Sequence, residues 1–166
     1  MEAQVAGARG QAFTDAPCEY QGVLADVLVL PLGTSRDRAV FVAVMNAVLA
    51  HLGMAGGTLH CKDDAPERCG AEIAASLRAG GAERVGLIGF NPALAEALVR
   101  AFGSHNIRAT DLNPQNIGSV RNGVELWDGR TRTEELVRCS DVVLVTGTTL
   151  VNGTFDSILQ LSQAFR

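Results

Sequence analysis

Residues 84–112 read "RVGLIGFNPALAEALVRAFGSHNIRATDL", and the reading of this stretch decides the fold. "VGLI" is a short apolar run of the kind found in strands buried on both faces. Asn91 then offers a side-chain oxygen to a helix start. Pro92 suits the first helical position, where its missing N–H costs nothing. Leu94, Leu98, Val99 and Phe102 recur at helical spacing up to Gly103. "IRATDL" is a second strand. Strand, helix and strand at these lengths imply a parallel pair joined by a right-handed crossover.

The pattern continues downstream. "VELW" (124–127) is a short strand. Thr131 and Glu134 have capping-box spacing, so "TRTEELVRCS" (131–140) is expected to be a helix opening there. "DVVLV" (141–145) is a third buried strand, and "FDSILQLSQAF" (155–165) a helix capped by Asn152 or Thr154. The C-terminal half is therefore expected to be a Rossmann-like α/β sheet, mostly parallel, with helices on both faces.

Upstream, "GTSRDRAVFVAVMNAVLAHLG" (33–53) has helix signals at both ends: Thr34 three residues before Asp37, and Gly53 as a terminator. It is apolar nearly all round, which predicts burial on several sides. Asn46 within it needs a hydrogen-bond partner if it is buried. His51 suits the end of a helix. A second helix is expected from Pro66 to Leu77. Before residue 30 the signals are mixed, and "QAFTD" and "VLADVLVLPL" read as extended or irregular.

Bulk properties exclude several function classes. The chain has 166 residues, 47% of them apolar and 19% charged, with a net charge of −4. That balance argues against nucleic acid or an anionic membrane as the main partner, since both call for a basic face. The longest nearly apolar stretch, "AVFVAVMNAVLA", is interrupted by Asn46 and too short to span a bilayer. "MEAQVAGARG" lacks the apolar core of a signal peptide, so a cytoplasmic address is expected. Cys18, Cys61, Cys69 and Cys139 form no CxxC pair and are expected as thiols or ligands.

Ligands of such sheets bind beyond the carboxyl ends of the strands, and three loops meet that condition. "IGFNP" places Gly89 and Asn91 at a helix start. Asp111 ends the second strand, where a carboxylate commonly accepts hydrogen bonds from a ribose or another diol. "VTGTTLVNGT" (145–154) carries Thr146, Gly147, Thr148, Thr149, Asn152 and Thr154 between a strand end and a helix start. The dinucleotide fingerprint is broken: "GLIGFNP" lacks the third glycine, and Pro92 removes a donor. None of the groups in 145–154 titrates near neutral pH, which favours recognition over acid–base chemistry. In "LHCKDDAPERCG", His60, Cys61 and Cys69 are soft metal-ligand types, but their spacing matches no common structural zinc pattern. The default reading is a polar loop, with Asp64 near a helix start and Cys69 packed inward. Arg36 and Arg38 could meet an anion, and surface charge is the default reading.

Taken together, "SDVVLVTGTTLVNGTFDSIL", "VGLIGFNPALAEAL" and "AVMNAVLAHLG…TLHCKDDAPERCG" resemble the heavy-metal-chelation family, a family without a settled activity. The resemblance runs from about residue 10 onward. It implies an enolase N-terminal-like α+β region over 1–80, followed by a Rossmann-like domain over 81–166. It also implies a pocket lined by Thr146, Gly147, Thr148, Thr149, Asn152 and Thr154, with Gly89 and Asn91 facing them. Family members are expected to continue with a further strand, a Gly-Pro loop and more helix, so the second domain is read as incomplete at its C-terminus.

The leading expectation is a small-molecule-binding protein, either a binder or an enzyme acting on a pterin-like or siderophore-like metal chelator. The cofactor is unknown, with a metal ion or metal chelate as the class to test. An enzyme using S-adenosylmethionine or a nucleotide is one alternative, and a non-catalytic assembly protein is another. An uncovered apolar helix face would favour a homo-oligomer.

Overall fold

The computed structural model describes residues 1–55 and 65–165. Its N-terminal elements are strands β1 (Glu2–Val5) and β2 (Ala8–Gln11), then helices α1 (Leu24–Leu28), α2 (Ser35–His51) and α3 (Ala65–Ala79). There follow β3 (Val85–Ile88), α4 (Pro92–Phe102), β4 (Ile107–Asp111), β5 (Val120–Arg121) and β6 (Val124–Asp128). The chain ends in α5 (Thr133–Arg138), β7 (Val142–Val145), α6 (Thr148–Asn152) and α7 (Phe155–Ala164). These elements group into two compact units: residues 1–55 with 147–156, and residues 65–146 with 157–165. Against the expected division at residue 80, α3 groups with the sheet, and the segment holding α6 groups with the N-terminal elements. No helix among the described residues is long and apolar enough to cross a membrane.

The first unit is built on α2. Thr34 Oγ1 accepts the Asp37 N–H at 3.1 Å, as the sequence predicts, and Gly53 follows the helix with φ +68°. Ala39, Val40, Ala43, Val44 and Ala47 are buried, whereas Leu49 and Leu52 are exposed. The apolar helix is therefore covered along one broad side and not all round. Asn46 lies on the exposed side, where its amide donates to the Gln11 carbonyl at 2.8 Å. It ties α2 to β2 instead of sitting in the core. β1 and β2 form an antiparallel hairpin. Its turn carries Ala6 at φ +48° and Gly7 at φ +85°, the two positive angles a tight hairpin turn needs. β2 approaches α2 so closely that a Cβ on Gly10 would lie 2.2 Å from the Ala47 nitrogen.

The second unit is the Rossmann-like sheet. Its strand order is β5-β6-β4-β3-β7. β3 pairs in parallel with both β4 and β7, β4 pairs in parallel with β6, and β5 adds an antiparallel edge. All four residues of β3 are buried, which explains its unbroken apolar run. One face of the sheet packs Val85, Leu87, Ile107, Ala109 and Leu126 against Ala74, Ala95 and Leu98 of α3 and α4. The other packs Ile88 and Trp127 against Leu136, Val137 and Ile158. Asn91 Oδ1 caps α4 by accepting the Leu94 N–H at 3.0 Å.

The capping box expected at Thr131 does not form. α5 starts at Thr133 with Arg132 in the cap position and no side-chain cap bond. Two interactions draw the segment away. Asp128 folds a turn of its own, accepting the Arg130 N–H at 2.8 Å. Arg132 lies flat on the Trp127 ring, 3.4 Å from its centroid, and pairs with Glu135 at 2.9 Å.

Asp141 fixes the entry to the sheet. It accepts the Arg84 guanidinium at 2.6 Å and the backbone N–H groups of Arg84 and Glu83 at 2.8 and 3.1 Å. The Arg84 side chain first, then these N–H groups, hold its carboxyl down at about 2, below the ordinary 3.8. A carboxyl depressed on folding stabilises fully above its unfolded pKa, and that contribution fades as pH falls toward the folded value. Asp141→Asn is expected to lower the urea midpoint at about pH 6, with the gap to wild type closing between about pH 4 and pH 2. Equal midpoints at neutral pH would show that the charge does not matter.

Candidate functional site

Counting only the parallel strands, the sheet runs outward from β3 to β4 and β6 on one side and to β7 on the other. The strand order thus reverses between β3 and β7. In open α/β sheets the crevice beyond the carboxyl ends at such a reversal is where ligands bind. Two loops leave the sheet there, one from Ile88 and one from Val145, which are paired in register.

Gly89 and Thr146 occupy this point together. Gly89 has φ +87°, and a Cβ on it would lie 2.2 Å from Thr146 Oγ1 and 3.0 Å from its Cγ2. Only glycine lets the Thr146 side chain lie over the β3 loop. The backbone ladder continues into both loops: the Gly89 N–H donates to Thr110 O at 2.9 Å, and the Thr146 N–H donates to Ile88 O at 3.0 Å. A hydroxyl-bearing side chain and a bare stretch of backbone thus face each other at the reversal.

Asp111 sits beside them but is already engaged. Its Oδ2 accepts the Phe90 N–H and the Asn116 amide, both at 3.1 Å, and its Oδ1 accepts the Asn113 N–H at 2.7 Å. A carboxylate has about four acceptor positions, so three protein donors leave little capacity for a diol. The geometry makes Asp111 a clamp that ties the β3 loop to the β4 loop.

Gly89, Asn91, Asp111 and Thr146 are brought together in the sheet unit. Gly147, Thr148, Thr149, Asn152 and Thr154 belong to the other unit, gathered around α6. "VTGTTLVNGT" is thus not one open loop: Thr146 ends the strand region, and Thr148–Asn152 is a helix. Thr149 and Val151 are buried. Asn152 Oδ1 accepts the Thr154 N–H at 3.1 Å and the Thr154 hydroxyl at 2.8 Å. Arg38, by default a surface charge, donates from Nε to Val151 O at 2.7 Å. His60 and Cys61 lie outside the described residues, and Cys69 is exposed. Among the described residues no group of three or more His, Cys, Asp or Glu side chains is placed to hold a metal ion.

A family model described as "Putative heavy-metal chelation" (DUF364) matches residues 72–166. Among solved structures, the chain is similar to a protein of unknown function from the same family in Desulfitobacterium hafniense DCB-2. The TM-score is 0.52 and the identity 17%, over 79% of this chain and 46% of that one. The chain therefore spans less than half the length of that relative, and at this identity the likeness speaks for the fold alone. No curated protein matches the chain.

The contact at the reversal gives a direct test. Gly89→Ala is expected to cost about 2 kcal/mol or more, from a strained positive φ together with the clash on Thr146. In a Thr146→Ala background only the 3.1 Å contact with Cβ remains of the clash, so the same change should cost less, about 1 kcal/mol. Equal costs in the two backgrounds, measured by urea denaturation, would mean that Thr146 is not what requires the glycine.

Proposed function

Because the chain belongs to the heavy-metal-chelation family, we propose that it binds a small metal-chelating molecule at the carboxyl ends of β3, β4 and β7. The observation that carries this reading is the strand-order reversal with Gly89 and Thr146 at its mouth. A glycine there lets a ligand approach the backbone, and a threonine hydroxyl can both donate and accept. Those properties suit a polar chelator of pterin-like or siderophore-like chemistry, with the metal carried as cargo. The reading covers recognition. Any reaction would need proton-transfer groups beyond these loops, because neither Gly89 nor Thr146 titrates near neutral pH.

An enzyme using S-adenosylmethionine or a nucleotide has weaker support. The glycine fingerprint is broken, and the carboxylate that would hold a ribose is occupied by Phe90, Asn113 and Asn116. Assembly as a homo-oligomer is part of the same proposal. Phe13, Val23, Leu28, Val29, Leu52 and Met54 are all exposed in the first unit, Val29 at 81%. Scattered apolar residues are ordinary on a surface, and six of this size on one unit suit association with a second copy. Light scattering at micromolar concentration should give a multiple of 17.4 kDa, and a monomeric mass would remove this part of the proposal.

Ligand binding is tested by thermal shift against free divalent metals, a ferric hydroxamate chelate, a reduced pterin, S-adenosylmethionine and NAD. A chelate or pterin is expected to raise the melting temperature saturably. Thr146→Val, which keeps the shape and removes the hydroxyl, should weaken that response about tenfold, roughly 1.4 kcal/mol. A shift with S-adenosylmethionine or NAD alone would favour the second reading. No shift with any class at about millimolar concentration would end the first.

A further inference from the structure

We propose that Arg38 forms an oxyanion-binding site in the first unit, at the C-terminal end of α6. Four observations converge on it. The guanidinium is partly buried and is held by two backbone carbonyls from separate segments: Nε donates to Val151 O at 2.7 Å, and Nη1 donates to Leu32 O at 2.7 Å. Among the described residues no carboxylate pairs with it; the ion pairs of other arginines engage Glu2, Asp141, Glu96 and Glu135. Gly153, at φ +78°, lies directly against the group. A Cβ there would stand 2.9 Å from the guanidinium carbon and 3.0 Å from Nη2. Finally, Asn152 spends its Oδ1 on Thr154, and its amide N–H groups donate to nothing among the described residues.

The physical argument is one of unspent donors and uncompensated charge. A guanidinium carries five N–H donors in a fixed planar fork. Two are used to lock its orientation, which leaves three, including those on Nη2 beside Gly153. Carbonyl dipoles orient a cation but do not neutralise it, and a partly buried charge gains most from an opposite charge at close range. A fork already fixed by its other edge loses little freedom when it binds, so a carboxylate or phosphate oxygen pair meets a preformed partner. The bare backbone of Gly153 packs against the guanidinium carbon, Nη2 and Nε, and the Asn152 amide adds neutral donors next in sequence. The ligand class is therefore an oxyanion, carboxylate or phosphate. The site stands apart from the chelator reading, since it uses none of the sheet loops.

The test uses the full chain, with inorganic phosphate and acetate as separate titrants in chloride buffer at constant ionic strength. Binding is read by calorimetry and by thermal shift, and circular dichroism checks the fold of each variant. Wild type is expected to bind one of the two anions saturably at a single site; which one does so identifies the source chemistry. Arg38→Gln should abolish this binding, and Arg38→Lys, which keeps the charge without the fork, should weaken it about tenfold. Should Arg38→Gln fail to fold, Gly153→Ala keeps the arginine and sets a methyl against it, with a loss of about tenfold or more expected. The proposal is overturned if wild type binds neither anion saturably, or if a folded Arg38→Gln or Gly153→Ala binds as wild type does.

Discussion

The sheet's candidate site depends on one close contact, the Thr146 side chain lying over the backbone of Gly89. β3 and β7 are neighbours in register, so the loops leaving them compete for the same space. Any side chain at position 89 would collide with Thr146 Oγ1. With glycine there, both loops keep their ladder hydrogen bonds to Thr110 and Ile88. Asp111 then fixes the β3 loop from the other side by accepting the Phe90 N–H. The mouth of the reversal is therefore shaped by one steric constraint and one carboxylate clamp.

In the first unit the corresponding organiser is α2. β2 meets it almost backbone to backbone at Gly10, and α6 is latched to it by the Arg38 guanidinium. That latch explains how five residues rich in threonine hold a helix. Thr149 and Val151 turn inward, and Gly153 ends the helix in the left-handed region. Isolated helices of this length are not stable in water, so its formation belongs to packing and not to local propensity.

What could be read from the sequence follows the same division between local and tertiary causes. β3 was legible because a parallel strand buried on both faces leaves an unbroken apolar run; β7 carries the same apolar run, but it is a half-buried edge strand and not the buried strand expected. The α4 start was legible because Asn91 and Pro92 act within one turn. The first hairpin was not, because its turn places Ala6 at a positive φ, and alanine carries no such signal. Thr131 offered a valid capping pattern, but Arg132 stacking on Trp127 and the Asp128 turn moved the helix start. The apolar girth of α2 was plain, yet only tertiary structure decides which side is covered, and so Asn46 proved to be an exposed tie. For the candidate site, positions 89, 91, 111 and 146 were singled out by their places at strand ends. The engagement of Asp111 and the unpaired charge of Arg38 depend on partners distant in sequence, which no spacing rule reports.

The central claim is that recognition occurs at the mouth formed by Gly89 and Thr146. Backbone amide spectra of labelled protein, titrated with a ferric or gallium hydroxamate chelate, address it most directly. The account predicts saturable changes at the amides of Gly89, Phe90 and Thr146. Saturable changes confined to other parts of the chain, with these three amides unmoved, would contradict it.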